Sequence, residues 1–121
     1  MLMGAACASA PAHASGFLAA IEDVPLMAGL VEQPEAVIFE SDNGRVVRTA
    51  AEGQADGARV SAFYEASLPQ LGWTRVADAD GLAYERENET LRIAIREPAN
   101  SQPVRVSFEL IVKLASSRLP E

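Results

Sequence analysis

The stretch FYEASLPQLGW, residues 63–73, carries a proline inside an amphipathic helical pattern and closes on Gly-Trp. Upstream, Asp56 is placed as an N-cap, and Val60, Phe63, Tyr64, Ser67, Leu68 and Leu71 recur every three or four residues. That spacing draws one apolar face along a helix. Pro69 removes a backbone donor in the last turn and biases Leu68 away from helical angles, so the helix is expected to tighten or kink there. Gly72 stands where a left-handed residue ends a helix, and Trp73 opens the next strand. The stretch therefore reads as a helix being stopped and turned into a sheet. Phe63, Tyr64 and Trp73 are also the aromatic side chains best suited to touch a ligand, although the helical spacing places them in or beside the core.

Strand patterns flank this helix. In AVIFESDNGRVVRTAAEG (residues 36–53), two β-branched or aromatic runs surround Asn43-Gly44, a pair that accepts positive φ at the centre of a type I′ turn. Residues 36–41 and 45–52 are therefore expected to pair antiparallel. Beyond the helix, WTRVADADGLAYERE (residues 73–87) turns at Asp80-Gly81. Leu91, Ile93 and Ile95 then alternate with Arg92, Ala94 and Arg96, and Val104, Val106, Phe108, Leu110 and Val112 repeat the period of two. One apolar and one polar face imply an antiparallel sheet covered on a single side. The expected fold is α+β, a two-layer sandwich of one main helix on an antiparallel sheet of about five strands, in the order β-β-α-β-β-β over residues 36–113. Residues 114–121 read as a tail.

Residues 15–35 read as an extended lead-in, interrupted by Pro25, Gly29 and Pro34. Phe17, Leu18 and Ile21 suit one helical turn, and Leu26, Met27 and Leu30 suit packing on the domain. The rival reading is an exposed hydrophobic docking segment. A membrane span needs about 20 uninterrupted apolar residues, which this segment does not supply.

The chain has 121 residues, a length that suits one domain. Its 17 acidic residues outnumber 10 basic ones for a net charge of −7, a field that repels nucleic-acid phosphates and anionic headgroups. Arg86, Arg92, Arg96 and Arg105 gather in the C-terminal half among Glu85, Glu87, Glu89, Glu97 and Glu109. That interleaving suits a cross-strand charge ladder better than a basic patch. MLMGAACASAPAHA, residues 1–14, is small, apolar and free of acid, and Ala12-His13-Ala14 obeys the small-x-small rule for signal cleavage before Ser15. It reads as the tail of a secretory signal whose start lies upstream, with a frayed cytosolic N-terminus as the alternative. Gly4 stands three positions before Cys7, where a lipoprotein signal carries Leu, so a lipid anchor is not expected.

Cys7 and His13 are the single cysteine and histidine, and both fall in that signal. A mature chain from Ser15 would then have no disulfide, thiolate nucleophile, His-based triad or His/Cys zinc site. Asp78-Ala79-Asp80-Gly81 resembles the start of a calcium loop, but the strand that follows at once favours a hairpin turn. Lys113, the sole lysine, reads as a solubilising residue on an edge strand. The acids are too many and too scattered to single out a catalytic carboxylate pair. No phosphate-binding glycine loop or nucleophile elbow occurs. No catalytic residue, cofactor or metal site is assigned.

DVPLMAGLVE, VIFESDNGRVV and VSAFYEASLPQLGW together resemble a group of small uncharacterised envelope proteins of Alphaproteobacteria. The resemblance runs from Asp23 to about Lys113 and implies a periplasmic or secreted α+β domain, with no activity attached. The expectation is a non-enzymatic binding or protein-interaction module with an envelope protein as partner, its exposed sheet edge accepting a strand. The alternative is a small hydrophobic ligand or lipid held in a helix–sheet pocket near Phe63, Tyr64 and Trp73.

Overall fold

In the computed structural model, which describes residues 14–77, 81–97 and 102–114, the helix stops as its sequence requires. Helix α1 spans Gly57–Ser67, and the Asp56 side chain caps it by accepting the Ala58 N–H. A 3-10 turn over Pro69–Leu71 follows, with proline at its first position where no N–H is needed. Gly72 takes φ +96°, its N–H donates to the Pro69 carbonyl (3.2 Å), and the Trp73 N–H reaches back to the Leu68 carbonyl (3.1 Å). These two bonds close a Schellman stop, with Leu68 and Trp73 both buried beneath it.

The strands are β1 (Ala14–Phe17), β2 (Pro25–Met27), β3 (Leu30–Glu32), β4 (Val37–Ser41), β5 (Gly44–Gly53), β6 (Thr74–Val76), β7 (Leu82–Arg86), β8 (Glu89–Arg96) and β9 (Val104–Lys113). β1 and β2 make a small ribbon; the other seven form one antiparallel sheet in the order β3-β5-β9-β8-β7-β6, with β4 also on β5. The mixed α/β class and the antiparallel sheet match the reading of the sequence. The sheet holds seven strands, not about five. Four strands follow the helix instead of three, and the lead-in contributes β3.

β3 and β4 share one side of β5, pairing with residues 51–53 and 44–48 respectively. The register on β5 shifts by two residues between them, from Glu32 opposite Ala51 to Val37 opposite Arg48, and Pro34, which has no N–H for a ladder, lies in that break. The β4–β5 turn also differs from a type I′ geometry. Ser41 and Gly44 pair directly, leaving Asp42-Asn43 as the loop. Neither loop residue has positive φ; Gly44 alone takes φ +148°. A Cβ at Gly44 would lie 2.0 Å from the Val112 carbonyl oxygen, so close approach of β5 to β9 is what this glycine allows. Lys113 ends β9, which lies between β5 and β8 and is not an edge.

The core lies between one sheet face and its cover. From the sheet come Val47, Ala51, Leu82, Tyr84, Leu91, Ile93, Val104, Val106, Phe108 and Leu110. The helix supplies Val60, Phe63, Tyr64 and Leu68. The segment before β4 supplies Leu18, Ile21, Val24, Met27 and Leu30, and so acts as a second cover. Residues 18–24 form a hydrogen-bonded loop, closed by Leu18 N–H to the Val24 carbonyl (2.9 Å), in place of the expected helical turn. The Glu32 carboxylate pins that loop by accepting the Ala19 and Ala20 N–H groups and the Thr49 hydroxyl. Among the described residues no helix is long and apolar enough to cross a membrane. Cys7, His13, the acidic part of the 78–81 turn and the tail from 115 lie outside the described residues.

Placing a Cβ on the left-handed Gly72 costs about 1–2 kcal/mol. Gly72→Ala is therefore expected to lower the unfolding free energy by that amount in urea titration. Gly44→Ala should cost more, because its clash is with rigid backbone.

Candidate functional site

Phe63, Tyr64 and Trp73 are all buried, with relative exposures of 9%, 0% and 3%. Phe63 and Tyr64 meet edge-to-face with centroids 4.8 Å apart, and Tyr64 stands edge-on to Phe108 at 5.6 Å. The Tyr64 hydroxyl donates to the Pro25 carbonyl at 2.7 Å, joining the helix to the lead-in. Trp73 lies under the Arg86 guanidinium, 4.3 Å from ring centroid to carbon. Arg86 also donates to the Leu71 carbonyl, Glu89 and Asp23, so one side chain ties the helix stop, the β7–β8 hairpin and the lead-in. None of the three aromatics borders the grooves described next.

The uncovered face of the sheet has a different character. Arg48 and Ala50 on β5, Arg105, Ser107 and Glu109 on β9, and Arg92, Ala94 and Arg96 on β8 all project there, because the opposite parity fills the core. The register sets Arg48 and Arg92 on either side of Glu109, and Glu52 opposite Arg105. The Arg48–Glu109 contact is 2.9 Å, Arg92–Glu109 is 3.9 Å and Arg105–Glu52 is 2.5 Å. The expected cross-strand ladder is thus present in part: Arg92 meets Glu109, and Arg48 and Glu52 of β5 join it, whereas Arg96 faces Arg105. Small residues Ala50, Ala94 and Ser107 floor a groove of about 440 Å³ between the arginines, walled on one side by Gln33, Glu35 and Val37.

The rim of this face is the edge strand β4. It pairs only with β5, so its outer edge carries no strand among the described residues. Val37, Ile38 and Phe39 on it are 44%, 55% and 58% exposed. Three consecutive apolar side chains point to both faces and are covered on neither. At the far edge, β6 is three residues long and carries Arg75, features that blunt an edge against pairing. No group of three or more potential metal ligands occurs among the described residues.

Reading the sequence found the β4–β5 hairpin but not the exposure of its first strand. The signal lay in Val37-Ile38-Phe39: an unbroken apolar run needs cover on both faces, and a single helix cannot supply it. The open groove left a fainter mark, in the small residues Ala50, Ala94 and Ser107 set between charged ones on three strands.

Comparison of the chain with protein-family models, with curated proteins and with solved structures returns no match.

Two tyrosines make a sharp contrast in this layer. The Tyr64 hydroxyl is paired, whereas the buried Tyr84 hydroxyl faces the Arg75 guanidinium without a close hydrogen bond among the described residues. Tyr64→Phe is expected to cost about 1–2 kcal/mol, and Tyr84→Phe to leave stability unchanged or raise it. Burial raises the Tyr64 hydroxyl well above the ordinary 10.0, opposed in part by the Met27 backbone. Burial also raises Tyr84, with the Arg75 charge opposing. Both folded-state values exceed the unfolded one, so this stability is fully present below about pH 10 and is lost as pH rises beyond it. Denaturant titrations at stepped alkaline pH should show that decline, and Tyr64→Phe should flatten it.

Proposed function

We propose that this chain is a non-enzymatic protein-interaction module of the bacterial envelope, and that it receives an extended segment of a partner protein along β4. The observation that carries the reading is the free edge of β4 with Val37, Ile38 and Phe39 half exposed. Strand addition supplies main-chain hydrogen bonds to such an edge, while side chains of alternate parity give specificity. An apolar edge left bare is otherwise an aggregation hazard, which natural sheets suppress with charge, proline or short strands. β6 follows that rule, whereas the one charge on β4, Glu40, comes after three bare apolar residues.

Placement outside the cytoplasm rests on the signal-like residues 1–14 and on the resemblance to envelope proteins. Cleavage before Ser15 would remove Ala14, which stands opposite Met27, and leave Phe17 opposite Pro25 in the β1–β2 ribbon. The rival, a hydrophobic ligand held between helix and sheet, would require Phe63, Tyr64 and Trp73 to part from contacts that now close the core.

Phe39→Lys and Ile38→Lys place charge on the β4 edge at exposed positions and should leave the thermal midpoint close to the parent's. Crosslinking in intact envelopes, with a photoreactive residue at position 40, should yield one stoichiometric partner with the parent edge and none with either lysine variant. An unchanged yield from folded lysine variants would overturn the reading.

A further inference from the structure

Arg96 and Arg105 stand directly opposite each other on β8 and β9, on the open face of the sheet. Like charges in register repel, and such pairs are destabilising in a sheet. The chain has 17 acids with which to avoid this, yet the acids nearby are engaged elsewhere. Glu97, next to Arg96, turns to the helix start, where it accepts the Gly57 N–H at 2.5 Å. Glu52 takes one nitrogen of Arg105, and Glu109 is held by Arg48 and lies 3.9 Å from Arg92. Among the described residues Arg96 makes no ion pair. A second groove, lined by Arg96, Arg105 and Glu97, whose carboxylate is engaged by the Gly57 N–H, shares Ala94, Arg105 and Ser107 with the first, so the two form one trough. The two alanines keep that trough open, and Ser107 adds a hydroxyl.

We infer that Arg92, Arg96 and Arg105, with Ser107, form a binding site for a small soluble molecule bearing phosphate groups. Val37 of β4 walls one side of this trough, but the arginines of the site lie on β8 and β9 and do not depend on strand addition at β4. A guanidinium presents five donors in a planar fork, and the glutamates present leave most of those donors unused. A carboxylate is flat and is saturated by one or two such forks. A phosphate is tetrahedral with up to two charges, and so accepts from several arginines at once. The net charge of −7 opposes any anion at long range, but it opposes an extended anionic membrane, whose many charges act together, more than one small soluble phosphate that reaches the arginines locally.

The test is a nuclear magnetic resonance titration of the full chain with inorganic pyrophosphate, against sodium chloride at matched ionic strength. Expected are saturable shifts of the Arg92, Arg96 and Arg105 side-chain N–H signals and the Ser107 amide. Arg96→Gln and Arg105→Gln should each weaken binding at least tenfold, while Arg59→Gln, on the helix, should not change it. Glu52→Gln should tighten binding, because it removes a competing carboxylate. Without ligand and at low salt, Arg96→Gln should raise the thermal midpoint by relieving the repulsion. The inference is overturned by shifts that do not saturate, by equal affinity in Arg105→Gln, or by binding to phosphatidylglycerol vesicles without binding to pyrophosphate.

Discussion

One hydrogen bond, from the Tyr64 hydroxyl to the Pro25 carbonyl, joins the two pieces that cover this sheet. A helix of eleven residues is about 16 Å long, too short to shield the inner face of a seven-stranded sheet. The segment from Leu18 to Leu30 has to do the remainder, and a segment of three-residue strands and loops has little intrinsic order. Tyr64 supplies a fixed point: its ring packs against Phe63 and Phe108, and its hydroxyl, buried away from water, finds its partner in the Pro25 carbonyl. Glu32 on the β5 side and Asp23 with Arg86 on the β7 side complete the fastening. The lead-in is thus held at both margins and at its middle, and it belongs to the domain as much as the helix does.

The parts of this fold that were legible in the sequence are those governed by local chemistry. Asp56, Pro69 and Gly72 set the start, tightening and end of the helix through backbone donors and φ preferences that need no tertiary knowledge. Leu91-Ile93-Ile95 and Val104 to Leu110 declared their buried face by strict alternation, and the arginines between them declared the ladder. What escaped depends on contacts distant in sequence. Whether β5 would be flanked by one strand or by two in tandem turns on how residues 30–32 fold back over a gap of twenty. The Asn43-Gly44 pair has the composition of a primed turn, yet Gly44 pairs with Ser41 outside the loop, where the close approach of Val112 leaves no room for a Cβ. Lys113 looked like an edge residue for its polarity, and only strand order shows that it is not.

The two faces of the sheet divide the labour of the molecule. One is closed by interlocking aromatic and aliphatic side chains, and the phenol and indole groups that drew attention in the sequence are spent there. The other carries small and ion-paired residues across β5, β9 and β8, with Val37, Phe39, Val46 and Ile111 toward the β4 rim, and no second layer covers it among the described residues. Its arginines lie on β5, β8 and β9, the longest and most central strands, so their backbones are held rigidly while their side chains stay in water. Recognition on a rigid floor loses little order on binding, which suits a small domain with limited stability to give.

The splitting of one β5 flank between β3 and β4 carries a kinetic meaning. A single long strand would peel away as a unit and uncover Leu30 with it. Here Pro34 separates a short inner strand, anchored through Leu30 in the core, from an outer strand whose side chains are all exposed. The outer strand can therefore open and close by itself at a small fraction of the global unfolding free energy. Its amide protons would exchange with solvent far sooner than those of β3, and that local breathing leaves the core shut.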